Sequence, residues 1–274
     1  MQNESLKNNK VPFNKHIEKR FSTAATRYDT AIDIQSAVAN HLKNIVCNLR
    51  QYLPDINTAI DIGCGTGLMT EKIFTLFPSV KIFGIDIAQN MVALFNKKFA
   101  GVNNVEAIHS DFLQLNCLTT FDMAFSSSAL HWILPLDDTI KKVHQLLNKK
   151  APFFCGMMVK GTFSDFLELK KQVAPEKSDN NLFLPSSQII KLLKENGFSI
   201  LEKEEKDFII TYNSTRDFMK KIHQQGTTAT FLKSSPLVRK ELEKLIVLYD
   251  KQFIGSKDEI EANYKTLFFY AQKL

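Results

Sequence analysis

The sequence predicts an α/β protein with a mostly parallel sheet, an antiparallel end to that sheet and an inserted helical lid. Between residues 58 and 159, short β-rich apolar runs alternate with stretches of helical periodicity, at spacings that suit crossover helices between parallel strands. After Val159 the pattern changes, and from Ile200 two long strand-like runs enclose helical sequence. A glycine-rich turn directly after the first strand marks the edge of the sheet where a ligand can approach the backbone.

In chain order, residues 1–15 are polar and read as a loose arm. From Tyr28 to Leu49, apolar residues at Ile34, Val38, Leu42, Ile45, Val46 and Leu49 have the spacing of an amphipathic helix. Thr58–Ile62 reads as a strand and Leu68–Phe77 as its helix; Val80–Asp86 and Ala88–Phe99 repeat the unit. Strands follow at Val105–His109, Phe121–Ser126 and Ala151–Val159, with a helix at Leu136–Leu147. Helices are expected at Ser164–Val173 and Ser186–Glu195, the latter capped by Gly197. Ile200–Tyr212 and Tyr264–Gln272 read as long strands around helices at Thr215–Gln225 and Pro236–Phe253. The expected organisation is one domain, 1–274. Residues 1–52 form a helical cover, 53–160 the binding core, and 161–185 with 213–255 the lid.

Composition narrows the class. Of 274 residues, 44% are apolar and 23% charged, a globular balance, and no apolar run reaches the ~18 residues of a membrane helix. The start, Met1 to Lys7, lacks the apolar stretch of a secretion signal, which points to a cytoplasmic protein. Cysteines at 47, 64, 117 and 155 form no CxxC pair, so neither a disulfide scaffold nor a zinc knuckle is expected. Residues 1–137 hold 12 basic and 12 acidic side chains, whereas 138–274 hold 23 and 17, so the whole net charge of +6 lies in the second half. That half reads as a solvated, lysine-rich surface or, alternatively, as a docking face for an acidic partner.

The chemical signature is Asp61-Ile62-Gly63-Cys64-Gly65-Thr66-Gly67. A dinucleotide fold wants its third glycine at position 68, but Leu68 stands there and the glycine comes one residue early, which disfavours NAD and FAD. Asp86 ends the second strand, placed to accept from both ribose hydroxyls of a nucleoside. Asp111 follows the third strand and can accept from an adenine amino group while Phe112 packs on the ring. Further candidate cofactor contacts are Tyr28, Gln35, Ile87, Met91 and Ser126.

This assembly resembles the class I S-adenosylmethionine-dependent methyltransferases over about residues 57–160. The resemblance implies a Rossmann-like seven-stranded sheet, last strand antiparallel, with S-adenosyl-L-methionine across the strand ends and S-adenosyl-L-homocysteine as product. By that analogy Asp61 helps hold the methionine amino group, and the glycine loop passes beneath the cofactor. A narrower resemblance runs nearly the whole chain from about residue 20. Phe21-Ser22-Thr23-Ala24-Ala25-Thr26-Arg27-Tyr28-Asp29, Ser126-Ser127-Ser128-Ala129-Leu130-His131-Trp132, Asn181-Leu182-Phe183-Leu184-Pro185, Gly226-Thr227-Thr228 and Tyr264-Lys265-Thr266-Leu267-Phe268 are similar to motifs of the malonyl-[acyl-carrier protein] O-methyltransferases of biotin synthesis. Ser127, Leu182 and Gln224 depart from residues common in that family.

The resemblance implies methyl transfer to the free carboxylate of a malonyl thioester on acyl carrier protein or coenzyme A, giving a methyl ester that primes pimeloyl synthesis. The alternative is another small-molecule methyltransferase, of trans-aconitate or quinone type. No HExxH, nucleophile elbow or histidine cluster with metal-ligand spacing is present, and a carboxylate acceptor needs neither metal nor general base, being ionised at neutral pH. Candidate acceptor residues are His131 and Trp132, with Arg20, Arg27 and His223 for the substrate's charge. The carrier is expected to dock on the lid around Lys220, Lys221, Lys233, Arg239 and Lys240, with no nucleic acid or membrane as partner.

Overall fold

The computed structural model describes residues 10–28, 32–116, 119–177, 183–224, 236–255 and 259–274. Lys233, and the motif positions at 181–182 and 226–228, lie outside them. The described strands are β1 (Thr58–Ile62), β2 (Lys81–Asp86), β3 (Val105–His109), β4 (Met123–Ser127), β5 (Pro152–Met158), β6 (Phe198–Tyr212) and β7 (Ile260–Lys273). They form one sheet in the order β3-β2-β1-β4-β5-β7-β6. Pairing is parallel from β3 to β5, and β7 runs antiparallel to both β5 and β6. The expected fold class is therefore the observed one.

The described helices are α1 (Lys10–Tyr28), α2 (Asp33–Leu49), α3 (Leu68–Leu76), α4 (Gln89–Lys98), α5 (Leu136–Leu146), α6 (Ser164–Val173), α7 (Ser186–Glu195), α8 (Thr215–Gln224) and α9 (Arg239–Gln252). All seven residues of β5 are buried, because parallel strands are covered on both faces. Phe154 faces the layer of α2, α3 and α4, packed through Val38, Leu42, Ile73 and Phe95. Phe153 and Cys155 face the layer of α5 and α7, packed through Ile140, Val143, Ile189 and Leu193. Strand order reverses between β1 and β4, so their C-terminal ends part around a crevice, the position where ligands bind in open α/β sheets.

β6 and β7 stay paired from Phe198–Lys273 to Tyr212–Ile260, while β5 pairs only with Thr266–Gln272. The outer half of this hairpin projects past β5, and the chain between its strands carries α8 and α9. Aromatic rings fill the space beneath: Phe163 meets Tyr264 at 4.7 Å and Phe218 at 5.4 Å, and Phe218 stacks on Tyr249 at 6.2 Å. The edge strand β6 carries Glu202, Lys203, Glu204, Glu205, Lys206 and Asp207, charges that oppose pairing with another chain.

The amino-terminal reading is corrected. Residues 10–28 are helical, where residues 1–15 read as a loose arm, and Tyr28 ends this helix instead of starting the next. The apolar stripe of α1, Ile17, Phe21, Ala24, Ala25 and Tyr28, includes two alanines in an otherwise polar run, so its periodicity is faint. Tertiary contact supplies what local sequence lacks: Phe21 meets Trp132 edge-on at 6.0 Å, Ala25 packs with Ala88 and Met91, and the Asn90 side chain donates to the Ser22 carbonyl at 2.9 Å. Pro12 sits in the first turn, where its missing N–H costs nothing.

At the opposite edge of the sheet from the crevice, the Asp122 carboxylate accepts from the backbone N–H of Asn57 and Thr58, both at 3.0 Å, and from Asn148 at 2.7 Å. Burial raises the Asp122 pKa, but these donors together hold it below the usual carboxylate range. Its stabilisation is present above the unfolded-state value near ~4 and is lost as pH falls through the lower folded value. Asp122→Ala should lose about 1–2 kcal/mol at pH 7, water replacing part of the lost acceptor. The deficit should shrink steadily below pH ~4 in denaturant titrations; a deficit that does not change with pH would remove the charge from the account.

Candidate functional site

At the reversal of strand order lies a cleft of about 740 Å³, counting space open to solvent. Its floor is the loop after β1, whose Gly63, Gly65 and Gly67 have φ of 72°, 53° and 86°. The two ends of the loop are close-packed: a Cβ on Gly63 would stand 2.3 Å from the Ala129 Cβ, and one on Gly67 2.5 Å from the Phe99 ring. At Gly65 a Cβ would meet nothing within 4 Å, so the bare backbone there faces the cleft and leaves room for a ligand.

Three carboxylates surround this floor. Asp86 accepts from Gly65 N–H at 2.9 Å and from Ala88 N–H at 2.8 Å, tying the loop to the end of β2 and the start of α4. Burial raises its pKa. Asp61 is buried at the end of β1; Oδ2 accepts from the Thr70 hydroxyl at 2.5 Å and Oδ1 has no hydrogen-bond partner. Burial, aided by the charge of Asp86 and opposed by the Thr70 bond, pushes the Asp61 pKa up to about 7. Asp111 caps the turn at Phe112, accepting from Leu113 N–H at 3.0 Å, and its other oxygen accepts from the Asn14 side chain at 2.9 Å. An orphaned, buried carboxylate oxygen beneath a bare glycine backbone fits a ligand with a cationic amino group, and Asp86 retains lone pairs for hydroxyl donors.

Tyr28, Gly63, Gly65, Asp86, Ile87, Met91, Asp111, Phe112 and Trp132 of the sequence-derived candidates line the cleft. Others lie elsewhere. Gly67 packs α3 against α4, Asp61 sits under the loop, and the Ser126 hydroxyl is spent on the Ile62 carbonyl at 2.8 Å. Gln35, grouped with the cofactor contacts from sequence, faces a separate cavity beyond Trp132, as does His131. His131 rings with Trp132 at 4.9 Å and Phe183 at 5.3 Å, and burial pushes its pKa down to about 3, leaving it neutral. Among the substrate candidates, Arg20 donates to His16 Nε2 on its own helix at 2.6 Å, and His223 is exposed on α8; neither lines the two cavities. The side chain of Arg27 lies outside the described residues. Sequence reading missed Asn14, Ile17, Ser110 and Ser128 as walls. Asn14 and Ile17 come from the helix whose periodicity was too faint to read.

Residues 59–150, from β1 to the turn before β5, match the methyltransferase domain family. Nearly the whole chain also matches relatives described as malonyl-[acyl-carrier protein] O-methyltransferases. One from Ilyobacter polytropus is 26% identical over 247 residues, 90% of this chain and 93% of the relative. Another, from Bacillus anthracis, is 27% identical over 272 residues, 94% and 96% of the two chains. In fold, the chain is similar to YcgJ of Bacillus subtilis (TM-score 0.59, 15% identity, 85% of this chain and 98% of that one). It is also similar to Haemonchus contortus phosphoethanolamine N-methyltransferase 2, solved with S-adenosyl-L-methionine (TM-score 0.51, 19% identity, 83% and 51%).

Two outcomes follow for the carboxylates. Asp61 must ionise to pair with an ammonium group, so affinity for S-adenosylhomocysteine should rise as pH climbs through about 7. Asp61→Asn should bind more weakly and lose this pH dependence. Without ligand, the raised pKa means that Asp61 contributes stability below its unfolded value near ~4, lost as pH rises through the folded value. Apo Asp61→Asn should therefore equal or exceed the wild type in stability at pH 8. Calorimetry at pH 6 and 8 reads the first effect; a flat wild-type affinity rules out Asp61 as the ammonium's partner. Asp86→Ala should cost about 2–4 kcal/mol of the same affinity, and should also lower the melting temperature because it unpins Gly65. Retained affinity in a folded Asp86→Ala variant would remove the residue from the site.

Proposed function

We propose that the protein transfers a methyl group from S-adenosyl-L-methionine to the free carboxylate of a malonyl thioester, carried on acyl carrier protein or coenzyme A, yielding S-adenosyl-L-homocysteine and a methyl ester that enters biotin synthesis. The observation that carries the reading is the near end-to-end match with relatives of that description, reaching both the cover helices and the lid. The cleft chemistry agrees. S-adenosylmethionine, when bound, supplies a methyl group on a positively charged sulfur.

The residues of this chain have three tasks. Asp61 and Asp86 hold the amino acid and ribose ends, and Asp111 with Phe112 holds the base. Tyr28, Phe21 and Ile17 of α1 close the cleft and exclude water, which strengthens every electrostatic contact inside it. Trp132 and His131, just after β4, face the acceptor. No side chain needs to take a proton, because a malonyl carboxylate is already ionised, and His131, held neutral by burial, is a poor candidate for a charged role. Alignment of oxygen, carbon and sulfur in a line can supply ~7–11 kcal/mol, enough to dispense with acid–base groups. Among the described residues no group of three or more His, Cys, Asp or Glu could hold a metal ion.

On the lid, Lys220 and Lys240 are exposed. Lys221 lies 3.9 Å from both Asp33 and Asp217, and Arg239 pairs with Glu243 at 2.9 Å, so these two are partly neutralised. An acidic carrier is expected to feel Lys220 and Lys240 most. Mass spectrometry of the product should place the methyl on the malonyl carboxyl, and acetyl thioesters should be inert. Lys220→Glu with Lys240→Glu should raise KM for malonyl-acyl carrier protein and leave malonyl-coenzyme A nearly unchanged, with added salt reproducing the difference. A methyl found on carbon, nitrogen or a phenolic oxygen would overturn the reading; equal, small effects on both substrates would move the carrier to another face.

A further inference from the structure

Behind the cleft lies a second, narrower cavity of about 310 Å³, counting space open to solvent, and Ser128 and Trp132 are walls of both. Most polar groups around it are spent. The Thr162 hydroxyl donates to the Lys265 carbonyl at 2.9 Å, and the hydroxyls of Tyr264 and Tyr212 share a hydrogen bond of 2.7 Å. Three are not spent: Gln35 Oε1, Ser128 Oγ and His131 Nδ1 are buried with no hydrogen-bond partner. A buried polar atom without a partner is costly to leave so. Convergence of three on one chamber marks a place for a polar ligand.

Two further observations define that ligand. Ser128 has φ of +57°, a left-handed conformation that a non-glycine residue adopts at a cost, and its own N–H is held by the Gly156 carbonyl at 2.8 Å. The fold thus fixes a hydroxyl at the junction of cleft and chamber. Among the described residues, the chamber walls also contain no lysine or arginine. A carboxylate held there meets only neutral donors, which keep it oriented without drawing off the electron density its reacting oxygen needs. Rotation of the Gln35 amide about its last bond exchanges acceptor for donor.

We infer that this chamber is the acceptor pocket: Ser128, His131 and Gln35 hold the oxygen of the substrate carboxylate that is not methylated, leaving the other directed into the cleft. The inference rests on the carboxyl-methylation reading and moves Gln35 from the cofactor to the acceptor. It also sets specificity. The chamber admits one short, singly charged carboxylate end, so malonyl thioesters are favoured over acceptors that need a second anionic group bound there.

The test uses the full chain with Gln35→Met and, separately, Ser128→Ala, each checked for an unchanged melting transition. Measured are turnover of malonyl-coenzyme A and calorimetric affinity for S-adenosylhomocysteine. Expected is a rise in KM of about tenfold for each variant, with cofactor affinity within about twofold of wild type. If the wild type methylates malonyl-coenzyme A but neither KM moves, the chamber is a water-filled void, and the inference falls while the function stands. If cofactor affinity of Gln35→Met falls as its KM rises, Gln35 belongs to the cofactor, and the inference again falls alone. A wild type inert towards every malonyl thioester overturns the function and this occupant of the chamber with it.

Discussion

One hydrogen-bonded joint organises this protein: the loop after β1 bound to the end of β2. Gly63 and Cys64 both donate their N–H to the Ile85 carbonyl, at 2.8 and 3.0 Å, and Gly65 donates to the Asp86 carboxylate. The same carboxylate caps the entry to α4 through Ala88. A chain of left-handed glycines has many alternatives in the unfolded state, and these bonds select one of them. The joint then fixes where α3 starts, how Gly67 lets it lie on Phe95 and Phe99, and where bare backbone faces the cleft.

The joint has an electrostatic cost that a cationic ligand would relieve. Asp61 and Asp86 are both buried enough to have raised pKa values, and the charge of Asp86 raises that of Asp61 further. A cleft lined in this way binds a cationic ligand better than a neutral one, while the α1 cover removes the water that would screen the difference. Asn14 links the cover to the third carboxylate, Asp111, so closing helix and binding floor belong to one hydrogen-bonded unit.

The fold does not name the reaction, because one sheet of this kind hosts many chemistries and differs in what lies past the strand ends. Here that region is aromatic and neutral: Trp132 stands between Phe21 on the cover and Phe183 from the lid, with His131 beside it. Such surroundings suit an acceptor that arrives already ionised and needs placing more than activating.

Much of the core was legible because its signals are local. Thr58–Ile62, Val105–His109, Ser164–Val173 and Ser186–Glu195 have the bounds read from the sequence, since apolar run lengths and glycine turns report burial directly. The glycine loop and Asp86 were legible for the same reason: backbone conformation and strand ends leave marks in residue type. Helix α1 was not, because a short apolar stripe interrupted by alanines in a polar run is buried only when α4 and Trp132 complete its face. Nor could spacing alone show that Ser126 turns its hydroxyl to Ile62 while Ser128 offers its own to a cavity, or that Gln35 lies on the far side of Trp132 from the glycine loop. Sequence determined the sheet, its ligand edge and the carboxylates that could serve it; tertiary packing decided which side chains converge, because residues as far apart as Asn14 and Asp111 meet only when the amino-terminal helix lies over the crevice.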